Sequence, residues 1–375
     1  MVRKERLIRL TKELIRIDSQ NPPGDECRIA EFVHGYLKKL GLPARIYEFK
    51  KRRSNVVATL RSKSRRRSLL ITPHLDTVPS GNSWHFDPFA AKLMKQKIYG
   101  LGATDCKGNL ASAMEAINSM LEDGVRLKYN LIFAATADEE SGSALGLAPL
   151  LKRKILKPDA ALVLDADDFH IVIAQKGLIH LTVRIKGKRA HGAYPWLGKN
   201  AVDSALKILR DIKLYRFGIF KNRYLRAPTV NIGVIRGGDK VNVVADWCEF
   251  ELDIRFLPGM SAGKILKDLK GIIRRHSRQC SFQIQGIQQP YVISATHPLV
   301  SGLSRSMRKI GIRPLIRGSE GATTISFFQE AGIPAVATGF GCAGCAHIAD
   351  EYIKIASLYK GTLALEYFLK NYKPV

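Results

Sequence analysis

A histidine two residues before an aspartate is the first candidate metal-binding group in the chain. His74-Leu75-Asp76 follows a short apolar run. A ring nitrogen of His74 could bind a metal, while Asp76 could orient the ring by accepting its other N–H. The pattern H-x-D is common by chance, so it identifies no site by itself.

Three acidic positions offer further ligands. Asp105 lies in the glycine-rich segment YGLGATDCKG (99–108), where tight turns can bring a carboxylate into a cleft, although it could equally cap the helix that follows. Glu139 and Glu140 are adjacent carboxylates that repel each other unless a cation is present. One could bind a metal while the other activates water, but taken alone the pair is better explained as an exposed acidic turn.

Asp165 and His347 complete the candidate set. A lone histidine is more often structural than a ligand, so His347 carries little information alone. Taken together, two histidines and three carboxylates match a dinuclear centre in which one carboxylate bridges both ions. Zinc, a borderline metal, accepts this mixture of nitrogen and oxygen ligands.

Four short apolar runs are predicted to be buried strands that end beside these groups. They are SLLIT (68–72), NLIFAAT (130–136), AALVL (160–164) and AVAT (335–338). Helical patterns at 109–122 and 143–152 lie between them, and this alternation predicts an α/β fold with a mainly parallel sheet flanked by helices. The candidate ligands follow the carboxyl ends of the strands, which is the sheet edge where ligands bind.

The middle of the chain has a different pattern. LIHLTVRIKG (178–187) alternates like a half-buried strand, and the elements after it follow the order β-α-β-β-α-β. We therefore predict a metal-binding domain over 1–176 and 293–375, interrupted by an α+β, ferredoxin-like domain over 177–292.

Composition limits the classes of function. No stretch of about 18 apolar residues exists, so no membrane span is expected. The amphipathic N-terminus lacks the apolar run of a secretory signal, and we expect a cytoplasmic protein. The six cysteines are too sparse for a disulfide framework. Cys342 and Cys345 form a C-x-x-C that could be a redox or metal site, but packing of a tight glycine-rich loop is the favoured interpretation.

The net charge of +27 raises a nucleic-acid hypothesis. The basic residues are spread along the chain, which favours a generally basic surface instead. The densest runs, Lys50 to Arg53 and Arg65 to Arg67, are interpreted as solvated turns. No recognisable nucleic-acid motif supports binding, and we regard nucleic acid as the least favoured partner.

The chain resembles the metallopeptidase family of acetylornithine deacetylase, succinyl-diaminopimelate desuccinylase, aminoacylase-1 and carboxypeptidase G. The resemblance covers essentially the whole chain. It implies that the metal-binding domain (1–176 and 293–375) is the catalytic domain and has a zinc-exopeptidase-like fold. Its markers are HLDTVP (74–79), W-x-x-D-P-F (84–89), YGLGATDCKG (99–108), ADEESGS (137–143) and AHIADEYI (346–353).

The resemblance implies a role for each metal ligand. His74 and Asp165 would hold one ion, Glu140 and His347 would hold the other, and Asp105 would bridge them. The ions would be two divalent metals, zinc in the first instance, with cobalt or manganese as alternatives.

The resemblance also implies roles around the metals. Asp76 would be the partner of His74, and Glu139 would be the general base. His191 would reach the active site of a partner subunit and stabilise the oxyanion. The inserted domain (177–292) would then be a lid and dimerisation domain, and a homodimer through it is expected. Asn242 and Arg255 match positions used for substrate binding, and Arg255 could clamp a carboxylate with two N–H groups.

Some positions depart from the family pattern. Leu101 stands where arginine is usual, Cys106 replaces methionine, and Asp165 replaces a longer glutamate ligand. Gly321, a further candidate for substrate binding, lies in a segment (318–327) where deacetylases and desuccinylases have G-G-T-x-D-x-R-F. Ile325 and Phe327 replace that Asp and Arg, which removes a contact to a substrate carboxylate and weakens the assignment to either of those two substrates.

The sequence therefore predicts a two-metal amidohydrolase of amino-acid metabolism that cleaves the amide bond of an N-acyl amino acid, as a deacetylase or desuccinylase does. A dipeptidase or a carboxypeptidase G-like exopeptidase of the same family is the alternative, with a dipeptide as substrate. A basic nucleic-acid-binding protein on an inactive hydrolase scaffold is the remote alternative. It predicts lost ligands, and all five are present.

Overall fold

The computed structural model describes residues 1–63, 67–165, 168–218, 220–321 and 323–374. The chain divides into two compact units. The first comprises Met1–Ile173, Ile293–Arg317 and Phe327–Val375, and the second comprises Ala174–Val292 and Gly318–Ser326. The second unit therefore interrupts the first at two places along the chain.

Helices and strands alternate through most of the chain. The helices are α1 (Lys4–Ile15), α2 (Cys27–Lys39), α3 (Lys107–Glu122), α4 (Leu147–Lys152), α5 (Ala201–Lys213), α6 (Ala262–His276), α7 (Pro298–Lys309), α8 (Ile325–Glu330) and α9 (Ile355–Asn371). The strands are β1 (Ala44–Glu48), β2 (Ser54–Leu60), β3 (Ser68–Thr72), β4 (Lys92–Met94), β5 (Lys97–Tyr99), β6 (Asn130–Ala135), β7 (Ala160–Leu164), β8 (His170–Gln175), β9 (Gly177–Lys186), β10 (Thr229–Gly237), β11 (Trp247–Phe256), β12 (Cys280–Gln288), β13 (Tyr291–Val292), β14 (Leu315–Ser319), β15 (Ala335–Thr338) and β16 (Tyr352–Lys354).

The main sheet has the order β1-β2-β6-β3-β7-β15-β8-β13, and β14 also pairs with β8. Its centre, β6-β3-β7-β15, is parallel, and the pairs toward both edges are antiparallel. The residues of β3, β7 and β15 are buried throughout, since both faces of a central parallel sheet are covered. The carboxyl ends of the four central strands meet at one edge, which positions the residues that follow them.

Helices cover this sheet. α3 is buried along nearly its whole length and packs against α1 and α9, while α2 packs on β1 and β2. The apolar face of α1 (Leu7, Leu10 and Leu14) is buried, as its helical spacing predicts. A smaller sheet of β16, β5 and β4 completes the first unit.

The second unit is built on an antiparallel sheet of order β10-β11-β9-β12. Alternate residues of β9 and β11 are buried in one apolar core with α5 and α6, as expected for a sheet that packs one face. The chain order of these elements is the predicted β-α-β-β-α-β. The predicted fold class, a mainly parallel α/β domain with an inserted α+β domain, is confirmed.

The interpretation of Lys50 to Arg53 as a solvated turn is wrong for Arg53. Lys50, Lys51 and Arg52 are exposed, but the Arg53 side chain is buried and paired with two buried carboxylates. In the second basic run, Arg65 and Arg66 lie outside the described residues. Among the helices of the described chain, none has the length and apolarity needed to cross a membrane.

Candidate metal centre

His74 follows the end of β3 and is almost fully buried. Its Nδ1 lies 2.9 Å from the main-chain oxygen of Asp76 and 3.7 Å from Oδ1 of the same residue. Its Nε2 lies 3.0 Å from Oδ1 of Asp105 and 3.5 Å from Oδ1 of Asp165. Nδ1 thus contacts the chain that follows β3, while Nε2 faces two carboxylates, as expected of a metal ligand with an oriented ring.

Asp105 is held by the loop that precedes α3. Glu351 accepts hydrogen bonds from the main-chain N–H groups of Gly102, Thr104 and Asp105, at 2.8, 2.7 and 2.9 Å. Glu351 is buried, and burial raises the pKa of this carboxyl to about 7 against the opposing effect of these N–H donors. Its contacts fix the loop and therefore the direction of the Asp105 carboxylate.

Glu139 and Glu140 begin a short 3-10 helix, Glu139–Ser141, just beyond β6. The carboxylate of Asp76 accepts the N–H of Glu139 at 3.0 Å and the N–H of Glu140 at 3.1 Å. Asp76 therefore connects the segment after β3 to the segment after β6. Its carboxylate mainly fixes the turn of the two glutamates, and its main-chain oxygen contacts the His74 ring.

His347 lies opposite His74 across Asp105. Its Nε2 is 3.2 Å from Oδ2 of Asp105 and 3.2 Å from Oε1 of Glu140. The two oxygens of Asp105 therefore face different histidines, Oδ1 toward His74 and Oδ2 toward His347. A carboxylate in this arrangement is suited to bridge two cations.

The electrostatics of the cluster favour positive charge at both histidines. Hydrogen bonds to Asp105 and Glu140 raise the pKa of His347 to about 10. Burial opposes the charged form of Asp105, yet hydrogen bonds from His347 and His74 hold its pKa below the usual range. Burial also raises the pKa of Glu139, and the charge of Asp165 adds to this effect. Such crowded carboxylates suit divalent cations, which must compete with protons for the histidines.

Comparison with known proteins places the chain in a family. The sequence model of Peptidase family M20/M25/M40 matches residues 70–371, which is most of the chain. The chain belongs to this family. Acetylornithine deacetylase from Klebsiella pneumoniae is 31% identical over 302 residues, covering 76% of this chain and 75% of that protein. The predicted family resemblance is confirmed.

Solved structures show the same fold. Aminopeptidase PepT from Bacillus cereus has a TM-score of 0.82 at 23% identity, covering 98% of both chains. A dinuclear metal-binding peptidase of family M20 from Bacillus subtilis has a TM-score of 0.74 at 16% identity, covering 99% of both chains. As a member of family M20/M25/M40, this chain is a metal-dependent hydrolase of amide bonds, as the sequence predicted.

The side chain of Cys106 contacts the main chain of His74. Its Sγ accepts the N–H of His74 at 3.1 Å and lies 3.4 Å from the main-chain oxygen of the same residue. Burial raises the pKa of this thiol to about 12, so it stays protonated and supports the His74 main chain. Cys342 and Cys345 are also buried, both are free thiols, and the N–H of Cys345 donates to the oxygen of Cys342 at 3.1 Å.

The predicted lid residues lie in the second unit. His191 is exposed, and its Nδ1 accepts the N–H of Ala193 at 3.0 Å. In the neutral ring the proton is then assigned to Nε2, which can donate to a ligand. Asn242 is a neighbour, because its main-chain oxygen accepts the N–H of Gly192 at 2.8 Å.

Arg255 is already engaged within the second unit. Its Nε and Nη2 donate to the two carboxylate oxygens of Asp253, at 2.6 and 2.8 Å. The predicted two-pronged clamp on a substrate carboxylate would require this pair to open. Gly321 is exposed, and a Cβ added there would meet its nearest neighbour, Ser319 Oγ, at an ordinary 3.6 Å.

Some residues with clear structural roles at the centre were not singled out from the sequence. They include Glu351, which holds the Asp105 loop, Asn21, which donates to Asp76, and Arg53, whose contacts reach the residue before Glu139. Glu351 lies within a marker segment of the family, AHIADEYI, so its position carried a signal. Arg53 is embedded in an exposed basic run and gave none.

Proposed function

We propose that this chain is a two-metal amidohydrolase that releases the acyl group of an N-acyl amino acid. The observation that carries the proposal is the Asp105 carboxylate, whose two oxygens face His74 and His347 separately. Asp165 lies on the His74 side and Glu140 on the His347 side. The acyl-amino-acid substrate class is supported by the sequence similarity to acetylornithine deacetylase.

The residues of the cluster fit two divalent ions. His74 and Asp165 would hold one ion, Glu140 and His347 the other, and Asp105 both, and this nitrogen and oxygen set suits zinc, with cobalt or manganese as alternatives. When bound, such ions polarise the scissile carbonyl and lower the pKa of a water molecule, so that the water can lose a proton and attack that carbonyl at neutral pH.

Glu139 is the proposed general base. Glu139 follows β6 and is adjacent to Glu140. Burial raises the pKa of its carboxyl, and a general base works best when its pKa lies near the operating pH. Glu139 would take a proton from the attacking water and deliver it to the leaving nitrogen. Asp76 would hold Glu139 in place through the main-chain hydrogen bond it accepts.

The second unit would supply the remaining groups. We treat residues 177–292 as a lid and dimerisation domain, in which His191 of a partner subunit donates from Nε2 to the developing oxyanion. Asn242, Gly321 and Arg255 would contact the substrate, Arg255 with the part of its guanidinium that Asp253 does not use. A homodimer and a cytoplasmic location are part of this proposal, and sedimentation of the purified chain tests the first.

A dipeptidase or carboxypeptidase is the second candidate. Ile325 and Phe327 occupy the positions where deacetylases and desuccinylases have Asp and Arg, and Ile325 is fully buried. The contact to a substrate carboxylate that is expected of those enzymes therefore has no counterpart at these positions. A substrate with fewer charged groups would suit such a site.

One experiment separates these candidates. The chain is loaded with zinc or cobalt and assayed against N-acetyl and N-succinyl amino acids and dipeptides. The proposal expects the highest kcat/KM on an N-acyl amino acid. Preferred cleavage of dipeptides would support the second candidate, and no hydrolysis of any amide by protein that carries two metal ions per chain would contradict both.

A further inference from the structure

Residues of the N-terminal region form hydrogen bonds to Asp76 and Asp138, the two residues that fix the turn of Glu139 and Glu140. Asn21 is buried, and its Nδ2 donates to Oδ2 of Asp76 at 2.9 Å and to Oδ1 of Asp138 at 3.3 Å. One amide thus connects the carboxylate after β3 to the residue that precedes Glu139. Its own main chain is fixed by a hydrogen bond from its N–H to the oxygen of Thr77 at 2.7 Å.

Arg53 contacts the same turn from another direction. Its Nη2 donates to Oδ1 of Asp138 at 2.7 Å and to Oε1 of Glu26 at 2.8 Å, and its Nε donates to Oε2 of Glu26 at 2.7 Å. The side chains of Glu26, Asp138 and Arg53 are 0%, 5% and 8% exposed. A buried pair of this kind fixes geometry, because breaking it leaves an uncompensated charge.

Asp138 is the point at which both contacts meet. It has a left-handed backbone with φ of 64°, a conformation that is uncommon for residues other than glycine but that aspartate adopts more readily than most. Its N–H donates to Oε1 of Glu26 at 3.2 Å, and its Oδ2 accepts the N–H of Leu145 at 2.9 Å. The direction in which Glu139 and Glu140 leave β6 therefore depends on this network.

We propose that Asn21 and Arg53 are positioning residues that set the placement of Glu139 and Glu140 through Asp76 and Asp138. Both residues lie outside the range 70–371 that the family model matches. The inference rests on the proposed function, in which Glu140 binds a metal ion and Glu139 transfers a proton. Displacement of such groups by even 1 Å lowers turnover strongly.

The test compares two variants with two matched controls in the full-length chain. Asn21→Ala removes the amide bridge, and Arg53→Lys keeps the buried positive charge but loses the planar fork. The controls are Asn118→Ala, a buried asparagine that donates to Tyr36, and Arg52→Lys, an exposed arginine paired with Asp25. For each variant we would measure kcat, KM, zinc affinity by chelator competition, and melting temperature.

We expect Asn21→Ala and Arg53→Lys to lower kcat and zinc affinity by about tenfold to hundredfold, the effect of removing groups that orient metal ligands. KM should change little, and both controls should match the wild type. If the two variants have a lower melting temperature but the same kcat and zinc affinity as the controls, the proposal is wrong.

The two proposals fail in different ways. If the wild type hydrolyses no amide, the proposed function fails, and zinc affinity still decides whether Asn21 and Arg53 position the turn. If the wild type is active and the four variants are indistinguishable in kcat and zinc affinity, only the positioning proposal fails.

Discussion

The metal centre in the first unit and the loop of His191 in the second unit contrast in how their side chains are held. In the metal centre, His74, Asp105 and Glu140 contact other members of the cluster, and buried residues fix the loops that carry them. In the loop of His191, Tyr194 is 53% exposed and Trp196 is 74% exposed. Their ring contacts are with their own neighbours.

The proposed metal ligands of the first unit contact one another within that unit, so we expect metal binding to depend on that unit alone. Under the proposed function, the exposed aromatic and histidine side chains of the second unit would gain further contacts from a substrate or from a second copy of the chain. Variants in the two regions should therefore separate metal binding from turnover.

Glu139→Gln is expected to give the largest effect of the side-chain changes considered. Loss of a general base should lower kcat by about 10² to 10⁴-fold. Zinc content and zinc affinity should stay near wild type, since Glu139 is not a proposed ligand. Steady-state kinetics and metal analysis on the same preparation check this, and a variant that keeps half of the wild-type kcat would remove Glu139 from the mechanism.

His191→Ala should lower kcat by about 10² to 10³-fold, the effect of losing one oxyanion donor. Zinc affinity should not change, because the metal ligands lie in the other unit. His276→Ala is the matched control, a histidine of the second unit paired with Asp211. A loss of zinc from His191→Ala, or equal turnover in both variants, would contradict the separation of the two regions.

Asp76→Ala should have the opposite effect to His191→Ala, because it should lower zinc affinity. The change removes the acceptor for the N–H groups of Glu139 and Glu140 and should weaken zinc binding by about tenfold to hundredfold. Chelator competition measures this affinity. Unchanged affinity would show that the turn is held without Asp76.

Arg255→Lys should give the smallest effect. Because Asp253 already uses Nε and Nη2, a substrate carboxylate would gain about one net hydrogen bond, and its loss should raise KM roughly fivefold at an unchanged kcat. An increase in KM of a hundredfold or more would show instead that the Arg255–Asp253 pair opens and that Arg255 binds the substrate carboxylate with two hydrogen bonds.

The main elements of the fold could be predicted from the sequence because their patterns are local. SLLIT and AALVL are strands with the predicted bounds, 68–72 and 160–164. The helix predicted over 143–152 is shorter and begins only at Leu147, because Ser143 has a left-handed backbone with φ of 59° and Gly146 is non-helical with φ of −112° and ψ of −115°. α9 was not predicted, since its apolar residues lie on most sides of the helix and give no clear period.

The candidate site was predictable to the extent that its residues follow strand ends. His74, Asp105, Glu140, Asp165 and His347 do converge. Four of them follow strands of the main sheet, as predicted, whereas Asp105 lies in the loop before α3. The supporting contacts were not predictable, because Glu351 meets Asp105 across 246 positions and Arg53 meets Asp138 across 85. Long-range contacts of buried charged side chains leave no periodic trace in a sequence.

The most direct test of the two-metal claim is a crystal structure of the zinc-loaded chain with anomalous diffraction data. We predict two zinc peaks, one beside His74 and Asp165 and one beside Glu140 and His347, with a carboxylate oxygen of Asp105 bound to each. A single peak, or peaks that do not contact Asp105, would contradict the account.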